Sequence, residues 1–397
     1  MTDIHKVGYP VESALDRAIE TCTHSWEQGA LAEALLEYRN PELSVFSSNP
    51  FLRHDQRSIP LADPVKTPSL AYAAKHITLS GPTLYPDDNI GVADPCSLGV
   101  SALLLGQSNP AYLDAARRQL EHVLYHVPRL DNGAISHRTD VSEAWSDFVY
   151  MLPPFLAYSA VAFQDESLLA EAFKQCKLYR DILVDDHPGS TTRGLWRHIS
   201  GPVHEDKGFW STGCAWAAAG MVRILPIVLR WPDIAGHIEK HEHGTMAESK
   251  LDLTQATTKL TNWIVEIIQG AMRVDDETET GLLRNYLGDN SYFPDAAGTA
   301  LLASVVYRMA SLGISADFDS DSESGYVQWA DAKRKAVARH VDDATGIASP
   351  VCQSTDHRRK RPLRKSEINP EAQCFLVMLG SAWRDWAWTQ VMSGLPA

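Results

Sequence analysis

Several features that mark other classes of protein are missing from this sequence of 397 residues. It contains no run of about 20 apolar residues, so we expect no membrane-spanning helix. Glycine-rich phosphate loops, cysteine–histidine pairs and Gly-x-Ser-x-Gly elbows are also missing, so neither nucleotide chemistry nor serine or cysteine hydrolase chemistry is indicated. Alternating runs of Val, Ile and Thr between hairpin turns are rare, which argues against a sheet protein.

Basic charge is scarce, since 36 Lys and Arg face 50 Asp and Glu and give a formal net charge of −14. Nucleic acids and anionic membranes attract basic surfaces, so we expect neither as a partner. Cysteine is scarce too: six residues are scattered without a Cys-x-x-Cys pair, and no Asn-x-Ser/Thr site occurs. The amino terminus lacks the basic and apolar regions of a signal peptide. This pattern predicts a cytoplasmic monomer or homodimer in a reduced compartment.

Helical periodicity, by contrast, is present along most of the chain. Apolar residues recur at i, i+3 and i+4, and they make up 44% of the sequence, which is enough to form a large core. The predicted helices span residues 11–39, 97–126, 143–163, 166–184, 212–231, 254–273, 296–312, 325–341 and 371–393. We therefore predict an all-α chain.

Four glycines begin a repeated pattern of two mostly apolar residues and then a polar or histidine position. Gly133, Gly194, Gly281 and Gly346 each follow one amphipathic helix and precede another that is rich in small and apolar residues. Closing six such hairpins gives an (α/α)6 toroid, a six-hairpin barrel whose loops at one end line a funnel. An open helical array has the same local pattern, so closure is an inference. We predict a single toroid domain over residues 1–397, with an insertion at about 232–254.

In such a toroid the functional site lies where the loops meet the N-termini of the inner helices. Carboxylates, histidines and flat aromatic rings are concentrated at those positions. The mixture suits carbohydrate, because rings stack on the apolar face of a sugar while polar groups bind its hydroxyls. The candidate site residues are Asp94, His137, Trp145, Asp147, Arg197, His198, Trp210, Trp216 and Tyr286.

Asp147 is the strongest catalytic candidate, because its neighbours in the predicted helix are apolar and aromatic and an unpaired carboxylate there is costly. It is either bonded to a partner or functional. Its burial should raise its pKa, as a proton donor near neutral pH requires. Asp94 precedes a helix start and could instead be an N-cap, and His198 could be a core or capping histidine.

Two other clusters have simpler interpretations. His237, His241 and His243 have metal-like spacing but lie among charged residues, so a solvated helix is the better interpretation and we expect no metal. The basic run at residues 357–365 resembles a nuclear-localisation patch. It also precedes the last inner helix, so it could instead steer a carboxylated substrate towards the site.

Five motifs in chain order resemble the unsaturated glycuronyl hydrolases, glycoside hydrolase families 105 and 88, across residues 80–393. Trp-Ser-Asp-Phe-Val-Tyr-Met at residues 145–151 is similar to the family segment Trp-x-Asp-x-x-(Phe/Tyr)-Met, and Gly-Leu-Trp-Arg-His at 194–198 is similar to the loop whose histidine contacts substrate. The other three motifs lie at residues 94–99, 209–222 and 295–300.

The resemblance implies an (α/α)6 glycosidase that removes an unsaturated uronic acid from the non-reducing end of small oligosaccharides by hydrating its C4=C5 double bond. It implies that Asp147 protonates C4 and assists the attack of water at C5. It further implies that Asp94 orients water or a sugar hydroxyl and that His198 binds the substrate. Neither a metal nor an organic cofactor is implied.

One motif departs from the family pattern. The family segment Arg-Gly-Asn-Gly-Trp is Thr-Gly-Cys-Ala-Trp at residues 212–216, so an Arg and an Asn near the substrate are lost. Recognition of the substrate carboxylate must then come from elsewhere, for example from Arg138, Arg197 or the basic run. Two other hypotheses stay open: a tailoring lyase or isomerase that acts on a small apolar metabolite in the same barrel, and a non-catalytic binding module.

Overall fold

The computed structural model describes residues 7–51, 59–86, 91–235, 251–276, 279–318 and 325–394. Helices dominate this part of the chain, together with one two-stranded antiparallel sheet in which β1 pairs with β2. The helices are α1 (Val11–Thr21), α2 (Ser25–Arg39), α3 (Pro68–Ala73), α4 (Gly99–Leu105), α5 (Pro110–Tyr125), α6 (Phe148–Met151), α7 (Pro153–Phe163), α8 (Glu166–Leu183), α9 (Ser211–Ala235), α10 (Leu253–Arg273), α11 (Ala296–Leu312), α12 (Tyr326–Ala338) and α13 (Pro370–Ser393). The strands are β1 (Ala144–Trp145) and β2 (Ile199–Ser200), and 3-10 helices cover Pro41–Leu43, Asp94–Leu98 and Ala316–Phe318.

The helices alternate between an inner and an outer ring. The inner ring consists of α2, α4, α6 with α7, α9, α11 and α13, and each member packs on the next. Helix α13 packs on both α11 and α2, while α2 packs on the 3-10 helix that leads into α4, so the ring is closed. The outer helices α1, α3, α5, α8, α10 and α12 each pack on an inner helix. This arrangement confirms the predicted (α/α)6 toroid, including its closure.

Small residues let the inner helices approach one another closely, as residues 217–220 and 296–300 predict. A methyl group on Gly220 of α9 would overlap the carbonyl oxygen of Val149 in α6. A methyl group on Gly298 of α11 would overlap Oγ of Ser211 at the start of α9. Backbone therefore packs directly against the neighbouring helix at these points, where a side chain would force the helices apart.

The four repeated glycines turn the chain from an outer helix towards the next inner helix. Gly133, Gly194, Gly281 and Gly346 all have positive φ, at 89°, 88°, 72° and 74°. Gly194 has a second constraint, because a Cβ there would lie 2.5 Å from the carbonyl oxygen of Glu266. The repeat therefore reflects a left-handed turn, which glycine adopts without a steric penalty. The inner helices that follow these turns all begin at the same end of the toroid.

Three predicted helices are interrupted. The segment 11–39 divides into α1 and α2, and 97–126 divides into α4 and α5. The segment 143–163 begins instead as β1, because Ala144 and Trp145 pair with Ser200 and Ile199, and α6 starts only at Phe148. Asp147 therefore lies at the N-cap position of α6, and the prediction that it lies inside a helix was wrong.

The predicted insertion at 232–254 falls mainly outside the described residues. Helix α9 ends at Ala235 and α10 begins at Leu253, and the predicted insertion stays a prediction. His237, His241 and His243 lie outside the described residues. The solvated-helix interpretation of these histidines, like the single-domain boundary at 1–397, stays a prediction.

Helix α9 is the one described helix that is long and apolar enough to cross a membrane, with a mean hydropathy of 1.6 over its most apolar window. Within that window, however, 94% of the residues are buried inside the molecule. Its apolar surface is used in packing against α7, α10 and α11. The apolar composition of α9 is therefore that of a buried core helix of the toroid.

Candidate active site

A cavity of about 220 Å³ opens where the N-termini of the inner helices meet. Seven of the nine predicted site residues line it: Asp94, His137, Trp145, Asp147, His198, Trp210 and Trp216. They come from the segments that precede α4, α6 and α9, which include a 3-10 helix and β1, and from α9 itself. The toroid therefore brings together residues that are more than 100 positions apart in the chain.

Arg197 and Tyr286 do not line the cavity. The backbone N–H of Arg197 donates to the carbonyl oxygen of Leu183, and its half-buried side chain lies outside the lining set. The hydroxyl of Tyr286 donates instead to the carboxylate of Asp206 behind the cavity wall. The structure thus separates these two predicted residues from the other seven. Arg197 faces away because successive residues of an extended segment point to opposite sides, and its neighbour His198 takes the side of the cavity.

Asp147 lies in the cavity wall beside His198. Its Oδ2 is 3.5 Å from Nε2 of His198, and its Oδ1 accepts a hydrogen bond from Oγ of Ser146 at 3.1 Å. Burial alone would raise the pKa of Asp147, but the nearby imidazole of His198, together with His137 and His357, holds it below its ordinary value. The expectation of a raised pKa was therefore wrong, and Asp147 is set up as an ionised group that can accept a proton.

His198 connects Asp147 to a second carboxylate. Its Nδ1 lies 3.2 Å from Oδ2 of Asp206, an oxygen that also accepts a hydrogen bond from the hydroxyl of Tyr286. Burial opposes a charged His198, yet the two flanking carboxylates raise its pKa above the ordinary value. Burial likewise opposes an ionised Asp206, but hydrogen bonds from His198 and Tyr286, together with the nearby imidazole of His357, lower the pKa of Asp206. The result is a buried Asp–His–Asp arrangement with one end in the cavity.

Within the described residues, one group has the composition of a metal site: His198, Asp206 and His357 offer ligand atoms within 4.8 Å of one another. The oxygen of Asp206 that faces the histidines is already bonded by Tyr286, and it lies 3.5 Å from Nε of Arg358. A fixed guanidinium at this distance repels a cation. The donor set therefore fits a proton-holding network better than a metal centre.

Asp94 and His137 form a second pair on the cavity wall. Oδ1 of Asp94 lies 3.9 Å from Nε2 of His137, and both side chains are buried. Burial lowers the pKa of His137 to about 4, so its imidazole is neutral near pH 7. A neutral imidazole and a carboxylate offer both hydrogen-bond donors and acceptors, which suits the binding of a hydroxyl or a water molecule.

Tryptophans form the flat walls of the cavity and are held in fixed orientations. The ring of Trp145 stacks on His137, with centroids 4.9 Å apart, and its Nε1 donates to Glu143 at 3.0 Å. Nε1 of Trp210 donates to Oδ1 of Asn285 at 3.0 Å. Rigid aromatic faces beside carboxylates are typical of a sugar-binding site.

Several cavity residues were not among the predicted site residues: Trp26, Gly91, Arg138, Met151, Ser354, Thr355, His357 and Glu371. The sequence suggests Arg138 for binding a carboxylate, and the basic run either for that role or for nuclear localisation. Of that run, His357 lines the cavity, whereas Arg358 donates to the carbonyl oxygens of His204 and Glu205. The position of Glu371 at the start of an inner helix was the sequence signal that could have identified it.

The geometry can be compared with known proteins. A family model described as Glycosyl Hydrolase Family 88 matches residues 71–305, which is more than half of the chain. No curated protein matches the sequence.

Solved structures share the fold at low sequence identity. A structure described as a possible member of the GH105 family from Klebsiella pneumoniae has a TM-score of 0.68 at 12% identity, and the match covers 97% of this chain and 93% of that one. A family 88 glycosyl hydrolase from Bacteroides vulgatus has a TM-score of 0.62 at 14% identity, with 96% and 99% covered. An inactive α-1,6-mannanase variant from Salegentibacter sp., solved with α-1,6-mannotetrose, has a TM-score of 0.55 at 15% identity, with 96% and 99% covered.

Proposed function

The chain belongs to glycosyl hydrolase family 88, and on that premise we propose that it removes an unsaturated uronic acid from the non-reducing end of small oligosaccharides. The reaction is hydration of the C4=C5 double bond of the uronic acid. The observation that carries the proposal is the carboxylate of Asp147, which His198 holds in its ionised form inside a cavity walled by tryptophans.

Asp147 is suited to activate the attacking water. The water oxygen forms a bond to C5 while one of its protons passes to the carboxylate of Asp147. Asp147 delivers this proton to C4, where the electron pair of the C4=C5 bond forms the new C–H bond, and Asp147 is left ionised again. Hydration leaves a hemiketal at C5, and opening of this hemiketal expels the rest of the oligosaccharide. The pair of Asp94 and His137 is placed to orient the water or a hydroxyl of the sugar. The His198–Asp206 contact keeps the imidazole of His198 beside Asp147 throughout.

Arg138 is the guanidinium that we propose for the substrate carboxylate. It lines the cavity, and its Nε and Nη2 donate to the two oxygens of Asp140 at 2.9 and 3.0 Å. Because 48% of the Asp140 side chain is exposed, a substrate carboxylate can take over this bidentate contact at the cavity mouth. Arg138 would thus replace the Arg that is missing from residues 212–216.

We further propose that the substrate is a small oligosaccharide such as polysaccharide lyases release, and that the reaction occurs in the cytoplasm. The size of the cavity supports the first point, and the scattered cysteines of the sequence support the second. A monomer or a homodimer would suffice, because the cavity lies within one chain.

The experiment is incubation of the protein with a panel of lyase-generated unsaturated disaccharides. Ultraviolet absorbance of the double bond should fall over time. Asp147→Asn removes the proton acceptor and should lower kcat by about 10²–10⁴-fold, while Asp186→Asn, at an aspartate that is 78% exposed, should leave it unchanged.

Full activity in Asp147→Asn would contradict the assigned role of Asp147. No turnover of any unsaturated disaccharide by the wild-type protein would overturn the proposed reaction. Binding of disaccharides that tolerates substitution of both Asp94 and Asp147, without turnover, would favour a non-catalytic binding module.

A further inference from the structure

Glu143 is a buried carboxylate behind the cavity wall that the proposed chemistry has not used. It lies two residues before Trp145, its side chain has no exposed surface, and it is not among the residues that line the cavity. Removing a carboxylate from water is costly unless hydrogen bonds within the protein replace those of the solvent. The partners of Glu143 therefore show what this carboxylate does in the fold.

Each carboxylate oxygen of Glu143 accepts two hydrogen bonds. Oε1 accepts from the backbone N–H groups of Val203 and His204, at 2.9 and 2.8 Å. Oε2 accepts from Nε1 of Trp145 at 3.0 Å and from Nδ1 of His204 at 2.9 Å. Burial raises the pKa of Glu143, but these hydrogen bonds outweigh burial and hold the pKa below its ordinary value. The acceptor is thus charged, which makes each hydrogen bond stronger than one between neutral groups.

The two backbone donors belong to a tight turn over residues 199–206, which we call the 199–206 turn. The backbones of Ile199 and Asp206 close it with two hydrogen bonds of 3.0 Å. Gly201 packs on the stem of Glu143, since a Cβ there would lie 2.2 Å from Cγ of Glu143. At its end the turn carries Asp206, the second carboxylate of the Asp–His–Asp arrangement. Glu143 therefore joins this turn to the wall of the cavity.

The other partner, Trp145, is the part of that wall which touches several site residues. Its ring stacks on His137 and meets the ring of His198 edge to face, with centroids 4.9 and 5.7 Å away. The guanidinium carbon of Arg138 lies 6.0 Å from the centroid of the same ring. Rotation of the indole would therefore move the wall relative to all three residues. The hydrogen bond from Nε1 to Glu143 opposes that rotation.

We propose that Glu143 is a positioning residue for substrate binding: its carboxylate fixes the indole of Trp145 relative to the 199–206 turn and so sets the shape of the space for the sugar beside Asp147. The inference rests on the proposed function. Glu143 touches neither the substrate nor the reacting atoms, and it acts through Trp145, which lines the cavity together with Asp147.

The first test is Glu143→Gln, with KM and kcat measured on an unsaturated disaccharide. The amide oxygen can still accept from the two backbone donors of the 199–206 turn, but the NH2 group then faces the indole N–H of Trp145. We expect KM to rise by about 10-fold, as loss of one hydrogen bond to a charged group predicts, with kcat little changed. Thermal unfolding checks that the variant is folded.

Asp185→Asn is the matched control for Glu143→Gln. Asp185 is also buried and accepts hydrogen bonds that organise a turn, from Ser190, Thr192 and the backbone of His187, but it does not line the cavity. This variant should leave both KM and kcat unchanged. An equal rise of KM in the two variants would show a general effect of loosened turns and would overturn the inference.

A double-mutant cycle tests whether Glu143 acts through Trp145. Trp145→Phe keeps an aromatic ring but removes the indole N–H, so this variant alone should also raise KM. Glu143→Gln added to Trp145→Phe should then raise KM no further, because the hydrogen bond that joins them is already lost. Effects on KM that multiply in the double variant would overturn the inference. If Glu143→Gln does not fold, an unchanged KM in Trp145→Phe alone would do so.

A second measurement reports the hydrogen bond without turnover. In the ¹H–¹⁵N spectrum of the wild-type protein, the indole signal that is missing from Trp145→Phe should exchange slowly with solvent. In Glu143→Gln that signal should shift and exchange faster. An indole signal that is the same in both proteins, or an unchanged KM in Glu143→Gln, would overturn the inference and leave the proposed function standing. Wild-type protein that hydrates no unsaturated disaccharide would overturn the proposed function and with it the role of Glu143 in substrate binding.

Discussion

At the scale of single residues, the neighbours of a carboxyl group decide its chemistry more than its burial does. Burial raises the pKa of both Asp147 and Glu371. Only Asp147 has histidine partners that reverse that effect, and of these His198 has the largest influence. The protonation state of Asp147 thus depends on His198, which in turn depends on Asp206.

Asp206→Asn tests this dependence. Loss of the Asp206 carboxylate should lower the pKa of His198, and a less cationic His198 should let the pKa of Asp147 rise. The reaction needs ionised Asp147, so the acid limb of the kcat/KM profile should move to higher pH. The measurement is the pH dependence of disaccharide hydration.

Tyr286→Phe is the matched control for Asp206→Asn. It removes one hydrogen bond to Asp206 but leaves the carboxylate in place, so the acid limb should move much less. An acid limb that stays in place in Asp206→Asn, or that moves equally in the two variants, would contradict the proposed coupling of His198 to Asp147.

At the scale of helices, direct contact between the backbones of two inner helices fixes the position of the segment that carries Asp147. Gly220 of α9 lies against the backbone of α6, which begins one residue after Asp147. Any side chain at position 220 pushes α6 away from α9. The packing of inner helices and the placement of the carboxylate are therefore linked.

Gly220→Ala should destabilise the protein by about 1–3 kcal/mol, because the added methyl group overlaps the carbonyl oxygen of Val149. It should also lower kcat, since α6 carries Asp147 at its start. Urea unfolding and disaccharide hydration measure the two effects.

Gly313→Ala is the control for Gly220→Ala, because it changes the backbone preference at a glycine without causing a steric clash. Gly313 ends α11 with a φ of 61° and has open space around it, so alanine there should cost about 1–2 kcal/mol through the backbone alone and leave kcat unchanged. Equal loss of kcat in the two variants would contradict the link between the α6–α9 contact and the site.

At the scale of the whole molecule, charged groups run through the centre of the toroid. Arg223 of α9 and Arg308 of α11 both donate to the carboxylate of Glu37, at 2.5 and 2.8 Å. Glu33, one turn before Glu37 on α2, is buried as well and lies beside a small internal cavity with Arg223. Burial raises the pKa of Glu33 to about 7, against the attraction of Arg223. The inner ring thus encloses carboxyls and guanidinium groups from three helices.

Glu33 should make the stability of the protein depend on pH. Its pKa is higher in the folded protein than in the unfolded chain, so the unfolded chain releases the proton first as pH rises, and stability is lost between about pH 4.5 and pH 7. We expect Glu33→Gln to remove about 2–3 kcal/mol of the fall in unfolding free energy between pH 5 and pH 8.

Urea unfolding at pH 5 and pH 8 measures this difference, and Glu121→Gln, at an exposed position on α5, is the control. Other buried carboxyls contribute equally to all three proteins, so the comparison isolates Glu33. A Glu33→Gln variant with the same pH dependence as the wild type would contradict the prediction.

Much of the fold could be predicted from local patterns. Periodicity identified the helices, because a helix buries one face at a spacing of 3.6 residues whatever its partners are. The glycines at 133, 194, 281 and 346 identified the hairpin repeat, because a turn with positive φ favours glycine whatever the rest of the fold is. The order of the motifs placed seven of nine site residues at one end of the ring. The shift of Asp147 from helix interior to helix start was missed, because β1 forms only by pairing with a strand about 55 residues away.

The sequence by itself determined the helices, the repeat and which loops face the funnel, because each of these follows from interactions between near neighbours. Only the tertiary structure decided that Asp147 is held ionised, that Tyr286 supports Asp206 from behind the wall, and that Glu371 enters the cavity from the last inner helix. The charge of a buried group depends on its distances to other charges. Those distances exist only once closure of the ring has brought its first and last helices together.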